Sequence, residues 1–334
     1  MIWLTWRQFR TQAWVALAAL AALTVALAAT APGLADLYRT SGMSTCATEC
    51  ATVADGFLSQ VMTTAAGRVY WLGIGVMFAV PALIGVFWGA PLIARELETG
   101  THRLAWNQSV TRGRWLAVKL LGVGLVGMAT VGLFSLAVTW WADPIDTAYT
   151  NRLFPEIFAT RGIVPIGYAA FAFVVGVTVG TIVRRTVPAM AVTLAVVAAA
   201  QLAMPFLVRP HLIPPVHVDA AFDPSAIRSF HMNTEREMVV LMKVEEPGAW
   251  VITNRTVTPT GELFTGPADP TVCGREAPPR SCVNWAGTLG LRQDAAYQPT
   301  SRFWAFQWLE TAIFLAAATL LAGFCSWWVR RRLT

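Results

Sequence analysis

Charge is scarce in this chain. Asp, Glu, Lys and Arg make up 13% of its 334 residues, against 55% hydrophobic. A soluble domain carries about 25% charged residues. The shortage is also uneven, with long stretches free of charge separated by short segments that hold most of it. That excludes an ordinary water-facing globular surface and fits a chain built for lipid. Lysine is nearly missing: Lys119 and Lys243 are the only two, and arginine supplies the rest of a net charge of +6. There is no basic stripe interleaved with aromatics and no zinc-finger spacing, which excludes nucleic acid as a partner. No G-x-x-x-x-G-K-[ST] loop is present, so the chain does not hydrolyse ATP by that route. H-E-x-x-H, C-x-x-C and G-x-S-x-G are missing as well. No catalytic residue, metal or cofactor is assigned to the chain. Its four histidines, His102, His211, His217 and His231, read as solvated loop residues.

What the chain does have is six long apolar runs, about Ala13–Ala31, Tyr70–Ala94, Leu116–Trp141, Gly162–Val183, Val187–Leu207 and Phe303–Trp328. Each exceeds the roughly 18 residues that mark a membrane-crossing helix. The runs are continuous rather than alternating, which argues against a β-barrel. The expected fold is an all-α polytopic membrane protein with six transmembrane helices. Residues 13–207 hold the first five, 208–302 form a small mixed domain outside the membrane, and 303–334 carry the sixth and a basic tail.

Arginine and lysine in short loops set the orientation. With both termini in the cytoplasm, the inner segments hold Arg7, Arg10, Arg95, Arg103, Arg112, Arg114, Lys119, Arg184, Arg185 and Arg330, Arg331 and Arg332. The two short outer loops hold only Arg39, Arg68, Arg152 and Arg161. The long loop 208–302 escapes the rule. Trp14, Trp71, Trp140, Trp141, Trp304, Trp327 and Trp328 fall near span ends, where indoles favour the headgroup level. Arg7 and Arg10 followed by an apolar run ending in Ala29-Thr30-Ala31 also fit a cleavable leader. The run is longer than a typical leader core and Pro32 would follow the cut, so a retained span is the preferred reading. Ahead of it, Ile2, Trp6, Phe9 and Ala13 share one helical face, which predicts an interfacial helix over residues 1–12.

The loop between the second and third spans, residues 95–119, is the most informative stretch. It contains Glu96-Leu97-Glu98-Thr99-Gly100-Thr101, then Arg103 and Trp106, then Ser109-Val110-Thr111-Arg112, and ends at Lys119. Gly100 is a natural stop for a helix leaving the membrane. A short helix over about Leu104–Val110 follows, and Ser109 or Thr111 can cap the helix that re-enters. A plain positive-inside loop would explain the arginines but not the Glu-x-Glu-x-Gly-Thr order.

That order, with the short helix, Ser-x-Thr-Arg and the closing lysine, resembles the cytoplasmic loop of ABC-type exporter permeases whose ATPase is a separate chain, especially actinobacterial ones. The opening Trp3-Leu4-Thr5-Trp6-Arg7-Gln8 is similar to their N-terminal helix. So are Tyr297-Gln298-Pro299, Arg302-Phe303-Trp304, Gln307-Trp308-Leu309-Glu310 and Trp327-Trp328-Val329-Arg330-Arg331-Arg332 at the end. The resemblance implies two paired membrane subunits, identical or different, in the bacterial cytoplasmic membrane. Two soluble ATPase subunits would carry ATP and Mg. It further implies a docking role for Glu96, Glu98, Gly100, Thr101, Arg103, Trp106 and Arg112. The cargo it suggests is amphipathic or apolar: an antibiotic, a peptide or a lipid-like compound.

Glu310 is the one carboxylate well inside an expected span. Such a group faces the bundle interior or water. It reads as a proton or cation contact, a polar lock between helices, or an interface residue reaching water, with Gln201 and Gln307 as candidate partners. Gly85-x-x-x-Gly89 and Gly176-x-x-x-Gly180 permit close helix approach. Pro81, Pro91 and Pro205 are sites where a helix kinks or ends. Cys46, Cys50, Cys273 and Cys282 fall in outer loops, with local pairing Cys46–Cys50 and Cys273–Cys282 preferred among three connectivities. Cys325 lies in the sixth span as a packing residue. In the outer domain Trp250–Val257 reads as a strand and Pro259-Thr260-Gly261 as a turn. Ala220–Val244 holds a helix or strands. Two rival functions stay open: a non-transporting sensor that presents the outer domain, and an intramembrane enzyme using Glu310. The second lacks a partner acid, base or nucleophile in the membrane.

Overall fold

The computed structural model describes residues 2–332 apart from 48–49, 102–110, 151, 224–226, 233–237, 243–245, 247, 265–271 and 273–280; the side chains of 2–8, 227–232 and 238–242 are also left undescribed. Six helices among the described residues are long and apolar enough to cross a bilayer: Phe9–Thr40, Ala65–Glu98, Arg112–Tyr149, Val164–Val183, Thr186–Leu212 and Thr300–Arg332. All six expected spans are present, and most extend beyond the apolar runs. The third has 38 residues, which at 1.5 Å each is about 57 Å. The hydrocarbon core is about 30 Å thick, so the ends of this helix stand beyond it.

The N-terminal segment is helical, as expected, but it runs into the first span without a break, giving one helix from Ile2 to Thr40. Nothing between residues 2 and 31 disfavours a helix strongly enough to end it. Already at this level the helix is docked on the second span. Phe9 meets Trp88 edge to face at 4.6 Å, and Gln12 Nε2 donates to the Phe87 carbonyl at 3.0 Å.

Burial ranks the helices. The apolar window of the fourth span is 72% buried, that of the first only 6%. The fourth therefore forms the centre, packed by the second, third and fifth, and the first lies at the rim.

The centre depends on glycine. Gly85 and Gly89 of the second span cross Gly176 and Gly180 of the fourth. A Cβ on Gly176 would stand 2.3 Å from the Gly85 carbonyl oxygen, and one on Gly89 would stand 2.4 Å from that of Phe173. The two small-residue motifs thus pack against each other within one chain. The second span is locally a π-helix there, Ile84–Gly89, between Pro81 and Pro91. The fifth span repeats the device at Met204–Val208 around Pro205. Proline removes an amide donor, and one wider turn restores the ladder without ending the helix.

Between the spans of the helical unit, the described residues include short helices that the apolar runs do not reveal. Ala51–Thr63 buries Ala54, Phe57 and Val61, with Phe57 edge-on to Tyr38 at 5.5 Å. Pro155–Phe158 precedes the fourth span. Cys46 and Cys50 form a disulfide just before the first of these. Cys282 is also disulfide-bonded, and Cys273 lies outside the described residues.

The chain divides into two compact units, residues 1–209 with 304–334, and residues 210–303. The second unit holds strands β1 (Val216–Ala221), β2 (Ile227–Met232), β3 (Met238–Met242), β4 (Trp250–Val257) and β5 (Arg292–Gln298). β5 lies between β1 and β4 in an antiparallel sheet, and β2 pairs with β3. The expected strand over 250–257 is β4 itself. The turn after it closes with the Gly261 amide donating to the Thr258 carbonyl at 2.9 Å. Gly261 there has φ +87°, a conformation that suits glycine. A small core of Ala286 and Leu291, with Phe222, Phe264 and Trp285 around it, supports the unit.

Candidate functional site

Two sets of polar groups are built into the helical unit, one at each end of the spans. The first is the base of the loop 95–119. Glu96 pairs with Lys119 of the third span, whose ammonium also reaches the Leu92 carbonyl and stands over the Trp115 ring. The Lys119 side chain is 5% exposed and that of Glu96 14%, so the charges are shielded and depend on each other. Glu98 turns to the fifth span. Its Oε2 accepts from the Thr186 amide at 3.0 Å and the Thr186 hydroxyl at 2.7 Å. A carboxylate on the first amide of a helix satisfies an orphan donor and favours the positive end of the dipole.

Gly100 has φ +72° and stops the helix that ends at Glu98, as expected. Thr101 is exposed beside Thr99, their hydroxyls 3.1 Å apart. Thr111 caps the returning helix by accepting from the Arg114 amide at 3.3 Å, and Arg112 is half-buried in its first turn. Gly113 lies against the Arg330 guanidinium: a Cβ there would be 3.0 Å from Nη2. The base of the loop thus joins the second, third, fifth and sixth spans. Arg103, Trp106 and the short helix expected over 104–110 lie outside the described residues. Of the candidate docking residues, Glu96 and Glu98 already engage other spans of the same chain.

The second set lies at the other end. Arg209 and Glu310 form an ion pair at 2.9 Å between the fifth and sixth spans, with both side chains 0% exposed. Arg209 Nη2 adds a second bond to Glu310 Oε1 at 3.2 Å, and Tyr168 of the fourth span donates its hydroxyl to Oε1 at 2.9 Å. The guanidinium also stands 4.1 Å over the Phe158 ring. A parallel group occurs nearby in sequence. Arg161 Nε donates to Asp146 Oδ2 at 2.7 Å, the Tyr70 hydroxyl donates to Asp146 Oδ1 at 2.7 Å, and the Tyr70 ring lies under the guanidinium at 5.3 Å. Each carboxylate meets one arginine and one phenol, an arrangement that leaves the buried group electrically neutral.

The expectation that Gln201 and Gln307 partner Glu310 is corrected by this geometry. Gln307 instead accepts from the Ile163 and Val164 amides at 2.9 and 3.0 Å and donates to the Phe158 carbonyl at 3.3 Å. Gln201 donates to the Phe78 carbonyl at 3.0 Å. The apolar run ends at Leu207, which by hydropathy alone assigns Arg209 to the loop 208–302. The helix continues to Leu212 through the π turn, which brings Arg209 into the bundle. An arginine just after an apolar run, with a carboxylate inside another, was the available signal. Arg161, Asp146 and Tyr70 were missed in the same way, at the edges of runs.

No group of three or more His, Cys, Asp or Glu among the described residues is placed to hold a metal ion. The arrangement holds helices together and joins the loop to them. A family model described as ABC-2 membrane transporter related matches residues 17–209, from the first span through Arg209. No curated protein and no solved structure matches. The match covers more than half of the chain and includes the loop 95–119 with the five spans that flank and support it. The chain belongs to the ABC-2 membrane transporter related family and is a multi-pass permease subunit of an ABC transporter.

Proposed function

We propose that this permease is the membrane subunit of an ATP-driven exporter whose ATPase is a separate chain docked on the loop 95–119. The supporting observation is the base of that loop. Glu96 on Lys119, Glu98 on Thr186 and Arg330 beside Gly113 tie the loop to four spans. A push on a loop with a loose base would bend the loop. A push on this one displaces several spans as a body, which is what coupling between two discrete states requires. ATP and Mg bind the partner, and a second membrane subunit, identical or different, completes the pathway.

The cargo is amphipathic or apolar. Among the described residues the buried arginines are paired with carboxylates, Arg161 with Asp146 and Arg209 with Glu310, which suits a cargo without strong net charge. The setting is the bacterial cytoplasmic membrane with both termini in the cytoplasm. The concentration of arginine at the loop 95–119, at Arg184-Arg185 and at Arg330-Arg331-Arg332 supports that orientation.

The test is co-purification with the candidate ATPase in mild detergent, comparing the native chain with Trp106→Ala and Glu98→Arg. A stable complex lost in both variants, with membrane insertion preserved, is the expected result. A well-folded native chain that retains no ATPase would overturn the exporter reading and favour the sensor.

A further inference from the structure

An open groove runs between the first and third spans. Its larger part has a volume of about 530 Å³ and is lined by Ala31, Leu34, Leu136, Trp140, Asp143 and Pro144, among others. A second part of about 330 Å³ continues it, sharing Leu136 and Trp140 and adding Leu20 and Leu133. Both lie within the helical unit. From Leu133 to Asp143 the third span rises about 15 Å, which is half of a hydrocarbon core of about 30 Å. The groove is thus one leaflet long. Its flank is open: Leu136 is 68% exposed and Trp140 72%.

The lining, apolar apart from Thr24 and Thr139, becomes charged at one end. Asp143 lines the mouth there, and its carboxylate accepts from Arg152 Nη2 at 2.8 Å. Arg152 also donates to the Thr147 hydroxyl at 3.0 Å. Neither charge is shielded, with the Arg152 side chain 43% exposed and that of Asp143 64%. A leaflet-long apolar slot therefore ends in one cation and one anion side by side, at the level where the Trp140 indole suits the headgroup region. A phospholipid whose headgroup holds a phosphate and an ammonium matches that pair of charges and that length.

We propose that the groove between the first and third spans binds a phospholipid with a zwitterionic headgroup, an acyl chain along Leu133, Leu136 and Trp140, the phosphate on Arg152 and the ammonium on Asp143. The site does not depend on the exporter reading, because it is set by the spans and not by the loop.

The full-length chain, purified in detergent, is titrated with phosphatidylethanolamine or phosphatidylglycerol and the bound lipid counted by native mass spectrometry. Three variants accompany it: Leu136→Trp, which fills the slot from its exposed side, Ala35→Trp as a second filler, and Asp143→Asn with Arg152→Gln, which removes the headgroup pair. The native chain is expected to keep phosphatidylethanolamine after phosphatidylglycerol has been washed away. Either filler loses the lipid, and the double variant loses the headgroup preference, each with the helical signal and melting temperature of the native chain. Equal retention of both lipids by the native chain overturns the proposal. So does undiminished retention in a folded filler variant, or a Leu136→Cys chain that forms a disulfide with a second copy at that position.

Discussion

Arg209 and Glu310 form an ion pair at 2.9 Å in which neither side chain is exposed, and the pair ties the end of the fifth span to the beginning of the sixth. Removing one partner strands the other charge, which costs about 3–5 kcal/mol in comparable buried pairs. Arg209→Met and Glu310→Met are each expected to lower the melting temperature in detergent sharply. The double variant Arg209→Met/Glu310→Met is expected to recover most of the loss, because apolar replacement of both partners is often neutral or better. Tyr168→Phe removes one bond to the same carboxylate and is expected to cost about 1.5–3 kcal/mol. Thermal unfolding of the four variants checks this, and a double variant no better than the worse single one would refute the pairing.

The glycine crossing distinguishes its own glycines from others in the spans. Gly176→Ala sets a methyl 2.3 Å from the Gly85 carbonyl and 2.7 Å from the Ala90 amide, both backbone atoms that cannot swing away. Overpacking of this kind costs about 1–3 kcal/mol or more, and here it is expected to abolish recovery of folded protein. Gly75→Ala and Gly122→Ala meet nothing within 4 Å and are expected to be neutral or stabilising by about 0.5–1 kcal/mol. Size-exclusion profiles of the three variants give the comparison directly.

How much of this was legible in the sequence follows from the type of signal each element leaves. A span is a run of apolar residues, so all six could be found, and Gly85-x-x-x-Gly89 with Gly176-x-x-x-Gly180 announced a close approach. Which helices approach is a pairwise fact, and spacing within one helix does not carry it. β4 was readable from Trp250–Val257 because its β-formers are consecutive and a Pro-x-Gly turn ends it. Arg209 was not readable, because a hydropathy run stops at the first charge while the helix does not. Glu98 was singled out by its pattern, but its bond to Thr186 spans 88 positions and has no local signature.

Glu98 also yields a graded prediction. Its carboxylate accepts from both the amide and the hydroxyl of Thr186. Glu98→Ala is expected to speed hydrogen exchange at the start of the fifth span, and Glu98→Gln, which keeps an acceptor oxygen, to speed it less. If the loop acts on the spans through this bond, ATPase stimulation by the reconstituted permease follows the same order. Unchanged exchange in Glu98→Ala would mean that this bond does not hold the start of the fifth span.

Gln307 tests whether the polar groups at its end of the spans position the central helix. Its Oε1 accepts from the amides of Ile163 and Val164, the residues that open the fourth span, and it is 0% exposed. Gly162 beside it has φ +65°, and a Cβ there would come 2.7 Å from that same oxygen, so the turn and the glutamine fit only as a unit. Gln307→Leu leaves the buried Val164 amide and the half-buried Ile163 amide without an acceptor, at about 1–3 kcal/mol for the buried one. Gln201→Leu gives up a single donated bond from a half-buried residue and is expected to cost about 1 kcal/mol. The measured order of the two melting temperatures decides the point. A larger loss at Gln201 would mean that Gln307 does not fix the start of the fourth span, whereas a larger loss at Gln307 means that the sixth span fixes where the fourth begins.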